Sequence, residues 1–297
     1  MSLTAEAWGA RGERIPFGSD ELFLVDVPAT GEVAHDPVLV LHGFPTSSFD
    51  WHLIVDDLAR DRRVVLFDFP GFGLSSKPDR RYSIELYADA AEAVAAHCAL
   101  DQLALLTHDM GDSVGGELLA RDMDRGLPFA VTSRVLCNGS IYIDLAQLTP
   151  GQEMLLAADD ARFDLASLGI DPAEAFRSGV AATFSPAHQP GDDELDAAWW
   201  FASQLSGHTL LARTIRYIED RRANEARFTG AIETHLSPLG VVWGRLDPVA
   251  VYPMAEQLVV RRPGTPLVTL DSVGHWPMLE DAPAFLAAVR RFLDAAS

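Results

Sequence analysis

Basic charge is scarce in this chain: 23 Lys+Arg stand against 43 Asp+Glu, a formal net charge of −20 over 297 residues. Phosphate backbones and anionic membrane surfaces repel so acidic a protein. Its densest arginine run, residues 213–227, is interleaved with Glu219, Asp220 and Glu225. No nucleic acid and no membrane are therefore expected as partners. Cysteine is nearly absent. Cys98 and Cys137 lie in apolar segments without a C-x-x-C neighbour, too few for a disulfide or zinc framework, and they read as small buried hydrophobes. No run approaches the ~18 apolar residues of a membrane span. Residues 1–18 have no apolar stretch behind a basic start, so no secretory signal is read there. Repeats and low-complexity tracts are missing too. A cytoplasmic protein without metal or cofactor is the expectation.

Its 48% hydrophobic and 22% charged content are those of a globular chain. A chain of this length buries roughly 75% of its unfolded surface, enough for one large domain with an insertion. Residues 22–27, 38–41, 64–67, 103–107 and 131–137 are short apolar or β-branched runs and read as strands. They mostly lack polar alternation, as strands covered on both faces do. Between them, 51–60, 84–100 and 112–125 carry helical spacing; Ile84, Tyr87, Ala91 and Val94 recur at three- and four-residue steps. Alternating strands and helices imply right-handed crossovers and a mostly parallel sheet. The alternation stops after Asn138 and resumes with strands at 239–243 and 267–270 and helices at 252–260 and 282–293. The expected class is α/β, with a core of 1–138 and 237–297 and a helical cap of 139–236. Because the insertion leaves from a strand's C-terminal end, it should cover the edge where open α/β sheets bind ligands.

The strongest chemical signal is Thr107-His108-Asp109-Met110-Gly111, directly after the 103–107 strand. A buried strand, a nucleophile-capable residue with small neighbours two positions away, then a helix: this is the pattern of a nucleophile elbow. The helix N-terminus behind it offers N–H groups to an anion. Asp109 sits at the apex. Gly111-Asp112-Ser113-Val114-Gly115 also matches G-x-S-x-G and offers Ser113 as a competing nucleophile. Placement favours Asp109, since a Ser113 apex would put the charged His108-Asp109 pair inside a buried strand. An Asp here also serves as a helix N-cap, but that role leaves two further loops unexplained. Asp247, in Gly244-Arg-Leu-Asp247-Pro248, follows the next strand, and His275, in Gly274-His275-Trp276-Pro277, follows the last one. Upstream, His42-Gly43-Phe44-Pro45 follows the 38–41 strand, and its turn can aim the Phe44 N–H at the same point as the Met110 N–H, as an oxyanion hole.

These motifs together resemble the α/β-hydrolase superfamily over almost the whole chain. The phrase at 42–45 is similar to its oxyanion turn, Asp68 to Ser75 to its D-x-x-G-x-G-x-S loop, and Gly274-His275 with Pro277 and Glu280 to its histidine segment. His108-Asp109 with Gly111 resembles the aspartate-nucleophile branch of epoxide hydrolases and haloalkane dehalogenases. Within it, residues 42–51, 67–78, 108–114 and 246–253 look most like the mesoderm-specific-transcript type of hydrolase. The resemblance implies an eight-stranded sheet with an inserted cap, and a triad of Asp109, Asp247 and His275.

An aspartate nucleophile narrows the chemistry. Attack on an ester carbonyl would give an anhydride, whereas attack on an sp³ carbon gives a plain ester, so the expected substrate is an alkylating one. His275, oriented by Asp247, would then activate water against that ester. The dehalogenases resembled here carry an Asn after His-Gly and a Trp after the nucleophile; this chain has Phe44 and Met110. Epoxide hydrolases use cap tyrosines as the acid, and Tyr217 and Tyr142 are the tyrosines of the insertion. The balance favours an epoxide over a halide. A serine esterase through Ser113 and a non-catalytic binding protein on the same fold are the alternatives. Phe184, Trp199, Trp200, Phe201 and Phe228 suggest a largely apolar pocket, so the expected partners are a small apolar substrate and water.

Overall fold

The computed structural model describes residues 3–295. Eight strands form one sheet: β1 Glu13–Phe17, β2 Asp20–Val27, β3 Val38–Leu41, β4 Val64–Phe67, β5 Gln102–His108, β6 Ala130–Cys137, β7 Leu239–Gly244 and β8 Leu267–Leu270. Their order is β1-β2-β4-β3-β5-β6-β7-β8. β2 pairs antiparallel with β1 and β4, and every other pairing is parallel. Leu39, Leu41, Val65, Phe67, Leu103 and Leu105 pack into one apolar cluster, while Val38, Val40, Val64, Leu66, Ala104 and Leu106 pack into another. Alternate residues of each strand thus enter opposite layers, which is why β3, β4 and β5 show no polar alternation.

Two elements lie outside the sequence expectation. β1 is an edge strand with Pro16 in it and only Ile15 buried, so it carries no apolar pattern. The helix Ala5–Arg11 is fixed chiefly by Trp8, whose indole N–H donates to Ser48 Oγ at 3.1 Å. Residues 51–60 form a 3₁₀ turn, Ser48–Trp51, and a single-turn helix, Val55–Leu58, instead of one helix.

Between β6 and β7 the described residues contain no strand. The helices there are Pro150–Ala157, Pro172–Ala181, Asp192–Ser203, Leu211–Thr214 and Tyr217–Thr234. Pro150 and Pro172 open helices: Thr149 and Asp171 accept N–H groups of the first turn through their side chains, and proline suits that first position because its missing N–H has no intrahelical use. Tyr217–Thr234 packs along Met110–Arg125, where Gly116 comes so close that a Cβ on it would lie 2.7 Å from the Phe228 carbonyl oxygen. Arg227 ties the two helices through Glu117, at 2.6 Å. The last part of the inserted stretch therefore flanks the core, and the preceding helices roof the C-terminal edge of the sheet. No helix among the described residues is long and apolar enough to cross a membrane.

Candidate active site

β5 ends at His108 and the helix Met110–Arg125 begins one residue later, so Asp109 alone makes the turn. Its φ of 51° and ψ of −115° lie where a non-glycine residue costs about 1–3 kcal/mol, a strain that concentrates at functional sites. The turn admits no bulk beside it. A Cβ on Gly111 would lie 2.4 Å from the Leu41 carbonyl oxygen, and one on Gly43 would lie 2.8 Å from the Asp109 Cβ. The two oxygens of Asp109 have different neighbours. Oδ2 accepts the Phe44 N–H at 2.8 Å, and Oδ1 faces His275 Nε2 at 4.0 Å. Met110, the first residue of the helix, follows directly, and first-turn N–H groups have no intrahelical acceptor. The turn that carries Phe44 is itself anchored: His42 Nε2 accepts the Phe69 N–H at 3.0 Å, and Asp68 accepts the N–H groups of Ser48 and Leu74 at 2.8 and 2.7 Å.

His275 Nδ1 donates to Asp247 Oδ2 at 2.7 Å. Asp247 Oδ1 accepts the Val249 and Ala250 N–H groups at 2.7 and 3.0 Å, which fixes the loop after β7. Burial alone would push the His275 imidazole down, but Asp247, by charge and hydrogen bond, then Asp109 and Glu280, outweigh it and hold it up at about 9. His275 is therefore protonated at neutral pH, and Asp109 and His275 face each other as an ion pair.

Three residues outside this triad set its geometry. Asn138, at φ 49°, donates to Asp247 Oδ2 at 2.7 Å and to the Gly274 carbonyl at 3.3 Å, while its Oδ1 accepts the Gly244 N–H at 3.0 Å. One amide thus joins the loops after β6, β7 and β8. Glu280 accepts the N–H groups on both sides of the histidine, Gly274 at 2.8 Å and Trp276 at 3.0 Å, and also that of Ser185 from the inserted segment. His108 donates through Nε2 to the His275 carbonyl at 2.7 Å; burial, then the charge of His275, keep it well below the usual histidine range and so neutral. Glu280 was legible only as part of the histidine segment, five residues after His275. Asn138→Ala removes a hydrogen bond to a charged group, so kcat should fall roughly tenfold to a hundredfold with KM little changed. Steady-state kinetics beside thermal unfolding checks this, and an unchanged kcat would mean that Asp247 keeps its place unaided.

Asp109 and His275 open onto a cavity of about 160 Å³ under the inserted helices. Phe44, Leu155, Phe176, Val180, Leu211 and Trp276 give it an apolar wall, and His208 and Gln152 are among its few polar residues. None of Phe184, Trp199, Trp200, Phe201 and Phe228 lines it. Phe201 packs on Phe49 at 5.1 Å between ring centroids, and Trp199 backs Phe176 at 5.7 Å. Ser113 is buried in the first turns of the helix and is not on the cavity wall. Tyr142 and Tyr217 do not line it either. The Tyr142 hydroxyl donates to Glu233 at 2.8 Å. Tyr217 lies behind Phe44, with ring centroids 5.7 Å apart, and Arg221 stands 5.5 Å from its ring. Burial, then the charge of Asp109, raise its phenol, against an opposing pull from Arg221. Both cysteines are free and buried; burial pushes Cys98 up to about 11 and Cys137 well above the usual thiol range, which leaves neither as a thiolate.

A family model described as the alpha/beta hydrolase family matches residues 38–289. LipZ of Mycobacterium tuberculosis is 36% identical over 296 residues, covering 98% of this chain and 99% of that protein. The mesoderm-specific transcript homolog protein of Homo sapiens is 32% identical over 305 residues, covering 99% of this chain and 89% of that one. An alpha/beta hydrolase fold protein from Burkholderia ambifaria has a TM-score of 0.73 at 22% identity, covering 93% of this chain and 96% of the other, a likeness of fold. Fold, family model and relatives agree: the chain belongs to the α/β-hydrolase family, and is a hydrolase by that membership.

Proposed function

We propose that the protein hydrolyses an alkylating apolar small molecule, an epoxide before other classes, through an ester on Asp109. The observation that carries this is the division of labour between the two Asp109 oxygens. Oδ1 is free to attack an sp³ carbon in the cavity, while Oδ2 already rests on the Phe44 N–H. Once the ester forms, Oδ2 is its carbonyl oxygen, and the same donor, with the Met110 N–H, stabilises the oxyanion made when water adds to Cγ. Esterification also removes the Asp109 charge that helps hold the His275 proton. The imidazole then loses that proton more readily and becomes the base for water. Charge on the nucleophile thus sets the order of the two steps. A single turnover in ¹⁸O-water tests the reading: the label should enter the Asp109 carboxyl, and the first product should carry none.

An epoxide leaves a developing alkoxide that needs a proton. Tyr217 is the phenol of the inserted segment on which the Asp109 charge acts; it stands behind Phe44 and off the cavity wall, so its role as that acid requires the Phe44 ring to move aside. Tyr217→Phe keeps the ring packing on Phe44 and removes the donor. Diol formation should slow by roughly 10²–10⁴-fold, followed in stopped-flow experiments on styrene-type and aliphatic epoxides. The second reading, halide displacement, is favoured by the absence of both tyrosines from the cavity wall, since a halide departs without a proton. Bromide release that survives Tyr217→Phe, with no diol from any epoxide, would decide for it.

A further inference from the structure

The catalytic loops occupy the C-terminal edge of the parallel strands; the opposite edge carries a second pocket with different chemistry. It has a volume of about 330 Å³ and lies where β7 and β8 begin, with Arg134, Arg262, Ser133 and Thr265 as its polar wall. Arg134 projects from β6 and is buried, and Arg262 follows the helix Pro253–Arg261. Neither arginine is paired with a carboxylate among the described residues. Arg134 donates to the Ile232, His235 and Ser237 carbonyls and to Ser237 Oγ, and Arg262 donates to the carbonyls of Glu233, His235 and Ser237. These carbonyls cap the end of the helix Tyr217–Thr234, which offers the equivalent of only about half a negative charge. Among the described residues, more than one positive charge there remains uncompensated, in a protein of net charge −20. Many other arginines find acids, as Arg121 and Arg227 share Glu117 and Arg213 meets Asp79; Arg14 and Arg162, like this pair, bond to carbonyls and a hydroxyl instead.

A guanidinium has five N–H donors. The bonds above leave Arg134 one N–H on Nη1, and leave Arg262 its Nε–H and one on Nη2. The Thr265 hydroxyl is an independent sign: it is buried, at 8% exposure for the residue, and has no hydrogen-bond partner. A buried hydroxyl without a partner is costly unless a ligand supplies one. We propose that this pocket binds a phosphate group, as free phosphate or as a small phosphomonoester. Two guanidiniums and a hydroxyl, arriving from β6 and from the turn before β8, suit a doubly charged anion with several acceptor oxygens better than a flat, singly charged carboxylate. The like-charge strain is consistent with this: burial, then Arg262, pull Arg134 down to about 9, and a bound dianion would relieve both.

Calorimetric titration of the full chain with inorganic phosphate, glycerol 3-phosphate and acetate tests the proposal. One site for phosphate is expected, with acetate much weaker. Arg262→Gln, at a half-buried position, should weaken phosphate binding roughly tenfold or more, and Thr265→Val, nearly isosteric, should weaken it severalfold. Asp109→Ala should bind phosphate as the unaltered chain does, which separates this site from the catalytic one and keeps its fate distinct from that of the ester mechanism. Tighter binding of glycerol 3-phosphate would point to a phosphomonoester, and tighter binding of phosphate to the free ion. No binding of either up to about 10 mM, equal binding of acetate, or full affinity in both Arg262→Gln and Thr265→Val would overturn the proposal and leave the arginines as helix caps alone.

Discussion

Asp109→Ala will abolish turnover, a loss of roughly 10⁴-fold or more, as removal of a nucleophile does when the remaining machinery has nothing to act on. The fold should survive. Asp109 is held at φ 51° by the tight turn between β5 and its helix. Among the described residues its carboxylate accepts one hydrogen bond, from the Phe44 N–H, beside a 4.0 Å approach to His275, which Asp247 holds independently. The change also removes a buried anion, so circular dichroism and the unfolding midpoint should stay close to those of the unaltered chain. Ser113→Ala should keep most activity, because Ser113 is buried in the helix and away from the cavity wall. A fluorophosphonate gives a second view, since it modifies an activated serine and not a carboxylate. Stoichiometric labelling, or loss of activity in Ser113→Ala alone, would return the chain to serine chemistry and make Asp109 a helix cap.

The core of the fold was legible because its central strands are covered on both faces: β3 and β4 coincide with the apolar runs at 38–41 and 64–67, and the half-buried edge strand β8 with that at 267–270. The elbow was legible for a related reason, since the apolar run stops where the turn must start. One step of that reading needs amendment. His108 does lie in the buried strand, as its last residue, and burial is tolerated because the imidazole is neutral and donates to the His275 carbonyl. Where sequence reasoning failed, the information sat in contacts between distant segments. The aromatics of Asp192–Ser203 were expected in the pocket, yet a helical pattern does not say which partner its apolar face meets, and here Phe201 turns to Phe49. Phe176 and Val180, which do line the cavity, carry no distinguishing neighbour in sequence. Tyr142 offered a phenol in the right segment, but its hydroxyl is engaged by Glu233, 91 residues away. Pro150 and Pro172 start helices in that segment and do not break them.

His275→Gln should leave the first chemical step and stop the second. Alkylation of Asp109 needs an ionised carboxylate and no base, so a single turnover should still form the covalent ester. Hydrolysis needs a group that takes a proton from water, and a glutamine amide cannot do so. The ester should therefore accumulate to one equivalent, seen as a mass increase on the peptide containing Asp109, with steady-state turnover down by roughly 10³-fold or more. The unaltered enzyme should show a milder form of the same imbalance as the pH falls. Before reaction, Asp247 and Asp109 hold His275 up at about 9, so it is protonated across the neutral range and alkylation should be insensitive to pH there. After esterification the Asp109 charge is gone and the histidine titrates lower. Hydrolysis is then fast above that lower value and slows below it, so the trapped fraction of ester in quenched-flow samples should rise toward acid pH. Asp247→Asn withdraws the remaining charge on the imidazole, leaving it a weaker base and loosely oriented, and should lie between the two cases. A His275→Gln protein that never forms the ester would show that His275 takes part in the first step, and the two-step division of roles would fall.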